Sequence, residues 1–162
     1  MTEKWLTGPV PGVNPLLMPV AHAFLQVRDD VRGTLDGMSL DQVWKRLGDS
    51  ATIGFHALHI AGATDRLLTY ARGEQLSETQ VAAARQESQM DGLDAQALVQ
   101  HVEQVIDAAL HQIRLTPAST LTTPREVGRL RLPSTVIGLL FHAAEHATRH
   151  AGQMATLRRI TG

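Results

Sequence analysis

Apolar residues recur every three to four positions in four long stretches of the chain, which is the spacing of amphipathic helices. In the first stretch, Leu17, Val20, Phe24, Val27 and Val31 fall on one face, and Asp36-Gly37 follows as a helix-ending pair. The predicted long helices run from about Pro15 or Pro19 to Leu35, from Ser50 to Arg72, from Asp94 to Leu115 and from Ser134 to Ile160.

Residues that favour helix ends support these bounds. Ser50 and Asp94 are suitable N-caps, and Gly73 is suited to a left-handed C-cap. Shorter helical segments are predicted at 40–47, with Trp44 as an anchor, and at 78–87. Residues 116–133 contain three prolines and are expected to form a loop, and no segment predicts a strand.

Four long helices with long connections predict an all-α fold, a four-helix bundle in which some connections cross over instead of forming hairpins. A chain of 162 residues fits a single domain. We therefore expect one bundle domain over residues 1–162, preceded by an irregular lead-in at 1–14.

Composition narrows the functional classes. The net charge is −1, which argues against a nucleic-acid partner bound through bulk positive charge. Residues 6–27 lack charged side chains but contain four prolines, so no membrane-spanning helix is expected there. Without a recognisable signal peptide, we expect a cytoplasmic protein that does not contact membranes.

The chain has no cysteine and eight histidines, so any metal site must use imidazole and carboxylate ligands. His56 and His59 fall in the second long helix, and His142, His146 and His150 fall in the fourth. A spacing of four residues places two imidazoles on one helix face. It allows either the pair 142/146 or the pair 146/150, completed by a histidine of the second helix.

Residues 142–146 also match the pattern H-x-x-E-H, which in some metallopeptidases supplies two ligands and a general base. A small bundle offers no strand that would align a peptide, and we expect Glu145 to pair with Arg149 instead. The isolated residues His22, His101 and His111 are expected to have structural or surface roles.

Two segments resemble the DinB/YfiT-like superfamily: residues 50–68 (SATIGFHALHIAGATDRLL) and 140–154 (LFHAAEHATRHAGQM). The resemblance implies an up-down-down-up four-helix bundle and a divalent metal, commonly Zn or Ni. Carried over by position, the implied ligands are His59, His146 and His150, the last within an H-x-G-Q stretch. The neighbours expected around the metal or in a pocket are His56, His142 and Gln153.

Relatives in this superfamily include transferases and isomerases that use low-molecular-weight thiols such as bacillithiol or mycothiol, and many are homodimers. The resemblance therefore implies a metal-dependent enzyme that acts on a small-molecule substrate, with a thiol cosubstrate. The alternatives are a non-catalytic, metal-stabilised binding or scaffold protein of the stress response, a metal-dependent hydrolase and a histidine-rich helical bundle without a metal. Residue 151, often basic in relatives, is Ala here, and no catalytic residue is assigned.

Overall fold

The computed structural model describes residues 2–161, and helices dominate them. In chain order the elements are α1 Met18–Leu35, α2 Leu40–Val43, α3 Ile53–Arg72, α4 Glu78–Gln86, α5 Ala95–Leu115, β1 Pro124–Val127, β2 Leu132–Thr135 and α6 Val136–Thr161. Three short 3-10 turns lie at Lys4–Leu6, Pro15–Leu17 and Ala118–Thr120. The prediction of a helical fold with four long helices is confirmed.

The four long helices enclose the core. α1 and α3 each pack extensively against both α5 and α6. The largest fully buried side chains come from all four of these helices and include Phe24, Ile60, Ile106, Leu140 and Met154. Full burial of one such side chain stabilises the fold by about 1.5–3 kcal/mol. Packing of α3 against α6 is the contact that positions the site described below.

Several predicted helix ends are found where the sequence placed them. α1 ends at Leu35, and the Asp94 carboxylate caps α5 by accepting a hydrogen bond from the Ala97 amide at 2.8 Å. Gly73 ends α3 with φ +84°, a left-handed conformation that glycine adopts without steric cost.

The predicted start of α3 is wrong by two residues. Thr52, not Ser50, is the N-cap: its backbone is extended and its hydroxyl accepts a hydrogen bond from the Phe55 amide at 3.0 Å. Ser50 Oγ is buried and, within residues 2–161, has no hydrogen-bond partner. Two hydroxyl residues close together satisfy the same sequence rule, and the path of the preceding loop selects between them.

The loop predicted over 116–133 contains a strand, and this corrects the expectation of no strand. β1 pairs with β2 in antiparallel register, from Pro124 opposite Thr135 to Val127 opposite Leu132. The hairpin also delays the start of α6 to Val136, because Ser134 belongs to β2 and pairs with Arg125. Strands of four residues that include proline carry too weak an alternation to be recognised in the sequence.

The predicted helix at 40–47 is shorter than expected, because α2 ends at Val43. Trp44 follows it and acts as the expected anchor. Its indole N–H donates to the Leu93 carbonyl at 2.9 Å, and its ring lies against Gly54 of α3. The connection before α3 is thus held against the start of that helix.

The segment before α1 is irregular apart from the two 3-10 turns at Lys4–Leu6 and Pro15–Leu17. It is tied to α1 by an ion pair between Lys4 and Asp29 at 2.6 Å. Pro19 lies in the first turn of α1, where its missing N–H costs no intrahelical hydrogen bond. Among residues 2–161, no helix combines the length and the apolar character needed to cross a membrane.

Candidate metal centre

Three histidines meet where α3 packs against α6. His59 lies on α3, and His146 and His150 lie one helical turn apart on the facing side of α6. One nitrogen from each ring can be chosen so that all three lie within 4.8 Å of one another. All three side chains are partly exposed, so solvent reaches the cluster.

The separations suit a single metal ion. His146 Nε2 lies 3.0 Å from His59 Nε2. Nitrogens bound to one tetrahedral zinc at 2.0–2.1 Å are about 3.3 Å apart, so adjustments of a few tenths of an ångström suffice. Three imidazoles without a thiolate form a donor set typical of zinc, nickel, copper or iron.

Of the two pairs that the spacing left open, 146/150 is the one that the structure groups with His59. His142 lies outside the cluster, with its side chain about half exposed at 53% and its Nδ1 3.5 Å from Glu145. The two histidines of the H-x-x-E-H pattern therefore do not converge with a third ligand. Glu145 instead pairs with Arg149 at 2.6 Å, as predicted.

Two of the clustered histidines, His146 and His150, favour neutral imidazole, the form that binds metals. Burial, followed by repulsion from His146 and His59, lowers the pKa of His150 to about 4. Burial likewise lowers the pKa of His146, with repulsion from His59 as the next cause. At neutral pH, lone pairs are therefore available at both α6 positions.

Glu87 is a member of the site that the sequence analysis missed. It directly follows α4, is 8% exposed, and its Oε2 lies 2.8 Å from His59 Nδ1. Arg66 forms an ion pair with the same carboxylate. Burial raises the pKa of Glu87, but hydrogen bonds from His59 and Arg66 and their charges outweigh this and lower it overall. Nothing in the sequence around residue 87 connects it to His59.

Two further side chains support the histidine rings. His56 is buried, and its Nδ1 lies 2.9 Å from His150 Nδ1, so one ring donates to the other. Burial, then repulsion from His59, lowers the pKa of His56. Phe55 stacks nearly parallel on His59, with ring centres 5.5 Å apart. The structure thus places His56 against a predicted ligand.

A cleft of about 550 Å³ adjoins the cluster. Its lining includes His56, Gln153, Arg149 and Ser50, and its open side faces solvent. Gln153, predicted to lie near the metal or in a pocket, therefore lines a cavity next to His150. The cleft is large enough for a small organic molecule.

The three isolated histidines lie apart from the cluster. His22 Nε2 is 2.8 Å from the Gly8 carbonyl oxygen, a contact between α1 and the segment before it. His101 and His111 line a groove of about 620 Å³ between α3 and α5. This groove is larger than the cleft beside His150. None of the three clustered histidines lines either cavity, but the cleft is lined by His56, whose ring is hydrogen-bonded to His150, and the groove is not.

Comparisons with known proteins give the family. The sequence model of the DinB superfamily matches residues 23–154. A solved structure, a DinB-like protein from Bacillus cereus ATCC 10987, superposes with a TM-score of 0.65 at 20% sequence identity, covering 85% of this chain and 89% of that chain. At this identity the likeness shows the fold alone, and no curated protein matches the sequence. The chain belongs to the DinB superfamily.

Proposed function

We propose that the protein is a metal-dependent enzyme that transfers a low-molecular-weight thiol to a small molecule. His59, His146 and His150 would hold a divalent ion, Zn²⁺ or Ni²⁺. The observation that carries the proposal is the convergence of these three imidazoles within 4.8 Å on two packed helices. Three protein ligands leave a coordination position open, which is the usual arrangement of catalytic rather than structural zinc sites.

The composition of the chain constrains the chemistry. Because the chain has no cysteine, the reacting thiol must come from a cosubstrate. A divalent ion in the site would lower the pKa of a bound thiol and so favour the nucleophilic thiolate. The cleft lined by His56 and Gln153, which is joined to the cluster by the hydrogen bond between His56 and His150, would hold the second substrate. We assign no general acid or base.

A second candidate is a metal-stabilised binding or scaffold protein without turnover. The ligands come from α3 and α6, so a bound ion would join two helices and stabilise the bundle by mass action. The two functions share the site and differ in whether a substrate reacts there. A hydrolase, in which water takes the place of the thiol, is the third candidate.

Metal analysis tests the site first. Untagged wild-type protein should contain close to one equivalent of metal per chain, and His59→Ala and His146→Ala should contain almost none. His101→Ala is the matched control, because His101 is exposed and lies on α5. Equal trace metal in all four proteins would refute all three metal-dependent functions.

A conjugation screen then separates enzyme from scaffold. The metal-loaded protein is incubated with bacillithiol or mycothiol and a panel of small electrophiles. A rate that requires both metal and thiol, and that His59→Ala abolishes, supports the transferase. Metal-dependent thermal stabilisation with no such rate favours the scaffold. Sedimentation of the same preparation would test the predicted homodimer.

A further inference from the structure

Helix α4 brings one carboxylate to the middle of α3. A capping box at Ser77 begins α4, and Gln80 ties it to α3 through hydrogen bonds to Asp65 at 2.7 Å and to Thr69 at 2.9 Å. Glu87 follows two turns later and accepts from His59. The helix is therefore attached near both ends, and its far end sets the position of Glu87.

Gly62 makes room for that carboxylate. A Cβ built at this position would lie 2.9 Å from Arg66 Nη1 and far inside contact distance of Glu87 Oε1. Glycine inside a helix costs about 1 kcal/mol relative to alanine. Helix α3 thus loses helix propensity at Gly62, the position that the Glu87 carboxylate approaches.

The hydrogen-bond chemistry fixes the proton on His59. An ionised carboxylate only accepts hydrogen bonds, so the 2.8 Å contact with Glu87 requires a proton on His59 Nδ1. In a neutral ring the lone pair then lies on Nε2. Nε2 is the atom that faces His146 at 3.0 Å.

We propose that Glu87 is a positioning residue that locks His59 with its proton on Nδ1 and its Nε2 lone pair directed into the histidine cluster, and that Gly62 admits Glu87. The effect on metal binding rests on the function proposed above, whereas the effect on the His59 proton does not. Carboxylates behind metal-bound histidines typically raise metal affinity by about 10- to 100-fold.

The first test is made on metal-free protein. Long-range ¹H–¹⁵N spectra of the imidazole rings, recorded at about pH 8.5 where imidazoles are largely neutral, report which nitrogen carries the proton. His59 should carry it on Nδ1 in the wild type. Glu87→Gln offers one acceptor oxygen to two donors, so His59 should shift toward the Nε2-protonated form. A wild-type His59 protonated on Nε2 would overturn the proposal.

The second test measures Zn²⁺ affinity by competition with a chromophoric chelator. Glu87→Gln should weaken binding by about 10- to 100-fold. Gly62→Ala should weaken it in the same direction, although it keeps the carboxylate and improves helix propensity. Glu145→Gln is the matched control, because it removes the same charge from the residue next to His146 in the sequence. The Glu145 carboxylate is paired with Arg149, so this substitution should change Zn²⁺ affinity less than twofold.

The outcomes separate the two proposals. Equal affinity of wild type, Glu87→Gln and Gly62→Ala for Zn²⁺ would overturn the positioning role, as would an equal loss in Glu145→Gln, because charge alone would then explain the effect. If the wild type binds no Zn²⁺, the proposed function fails, and the ring spectra still decide whether Glu87 sets the proton on His59. Restored affinity in Glu87→Asp relative to Glu87→Gln would support the carboxylate's role.

Discussion

Acidification should destabilise the metal-free protein between about pH 6.5 and pH 4. His150 has its pKa lowered from 6.5 to about 4 by burial and by repulsion from neighbouring histidines. In this interval the unfolded chain binds a proton at residue 150 that the folded chain does not bind. The contribution of neutral His150 to the free energy of unfolding is therefore fully present above pH 6.5. It decreases as the pH falls and is lost below about pH 4.

The shift sets the size of the effect. A fall in pKa from 6.5 to about 4, at 1.36 kcal/mol per pH unit, corresponds to about 3 kcal/mol. Because His150 is partly exposed and solvent screens its repulsion, we take roughly half of this, about 1–2 kcal/mol. The lowered pKa values of His56 and His146 act in the same direction. Glu87, whose pKa is also lowered, contributes to a loss only at lower pH, below its ordinary value of 4.5.

Urea unfolding in the presence of a chelator, at several pH values between 7.5 and 4.5, measures this loss. The wild type should lose at least about 1–2 kcal/mol of unfolding free energy across the range, since His56 and His146 add to the contribution of His150, and His150→Gln should lose clearly less. His101→Gln is the matched control, since His101 is an exposed histidine outside the cluster. Identical slopes for wild type and His150→Gln would refute the reasoning, because the cluster would then impose no cost on protonation.

Two further predictions concern the start of α3. Gly54→Ala should destabilise the protein by about 1–2 kcal/mol net in thermal or urea unfolding, because its Cβ would lie 2.6 Å from the Trp44 ring; Gly33→Ala, which meets no neighbour, should be neutral or stabilising. Thr52→Ala should cost about 1 kcal/mol through the lost cap, whereas Ser50→Ala should be neutral or slightly stabilising because its buried Oγ has no partner in the described chain. Equal losses in the last two variants would contradict the assignment of the cap.

The features that the sequence predicted well are local. The apolar period of α1 and α5 and the end signals at Asp94 and Gly73 all act within one or two helical turns. The same holds for the pairing of Glu145 with Arg149, which follows from their spacing on α6. For these features, neighbouring residues in the chain are also neighbours in space.

Features that depend on tertiary contacts could not be predicted in this way. The hairpin of β1 and β2 consists of two four-residue strands that lack a recognisable alternation. The choice of Thr52 over Ser50 as a cap depends on the path of the loop that Trp44 anchors. Each of these outcomes is decided by packing between segments rather than by the residues beside it.

The histidine cluster depends both on local spacing and on tertiary contacts. Only the part that depends on tertiary contacts, including Glu87, was missed in the sequence. Spacing on α6 limits the candidates to 142/146 or 146/150, and only the packing of α3 against α6 groups 146/150 with His59. Glu87 reaches His59 across 28 residues of sequence through the docking of α4. The one local trace of this contact is Gly62, a helix-interior glycine with no role in a turn. On α3, both interior glycines, Gly54 and Gly62, lie where a side chain from elsewhere in the chain approaches, whereas Gly152 on α6 meets no neighbour, so an interior glycine alone does not locate a partner.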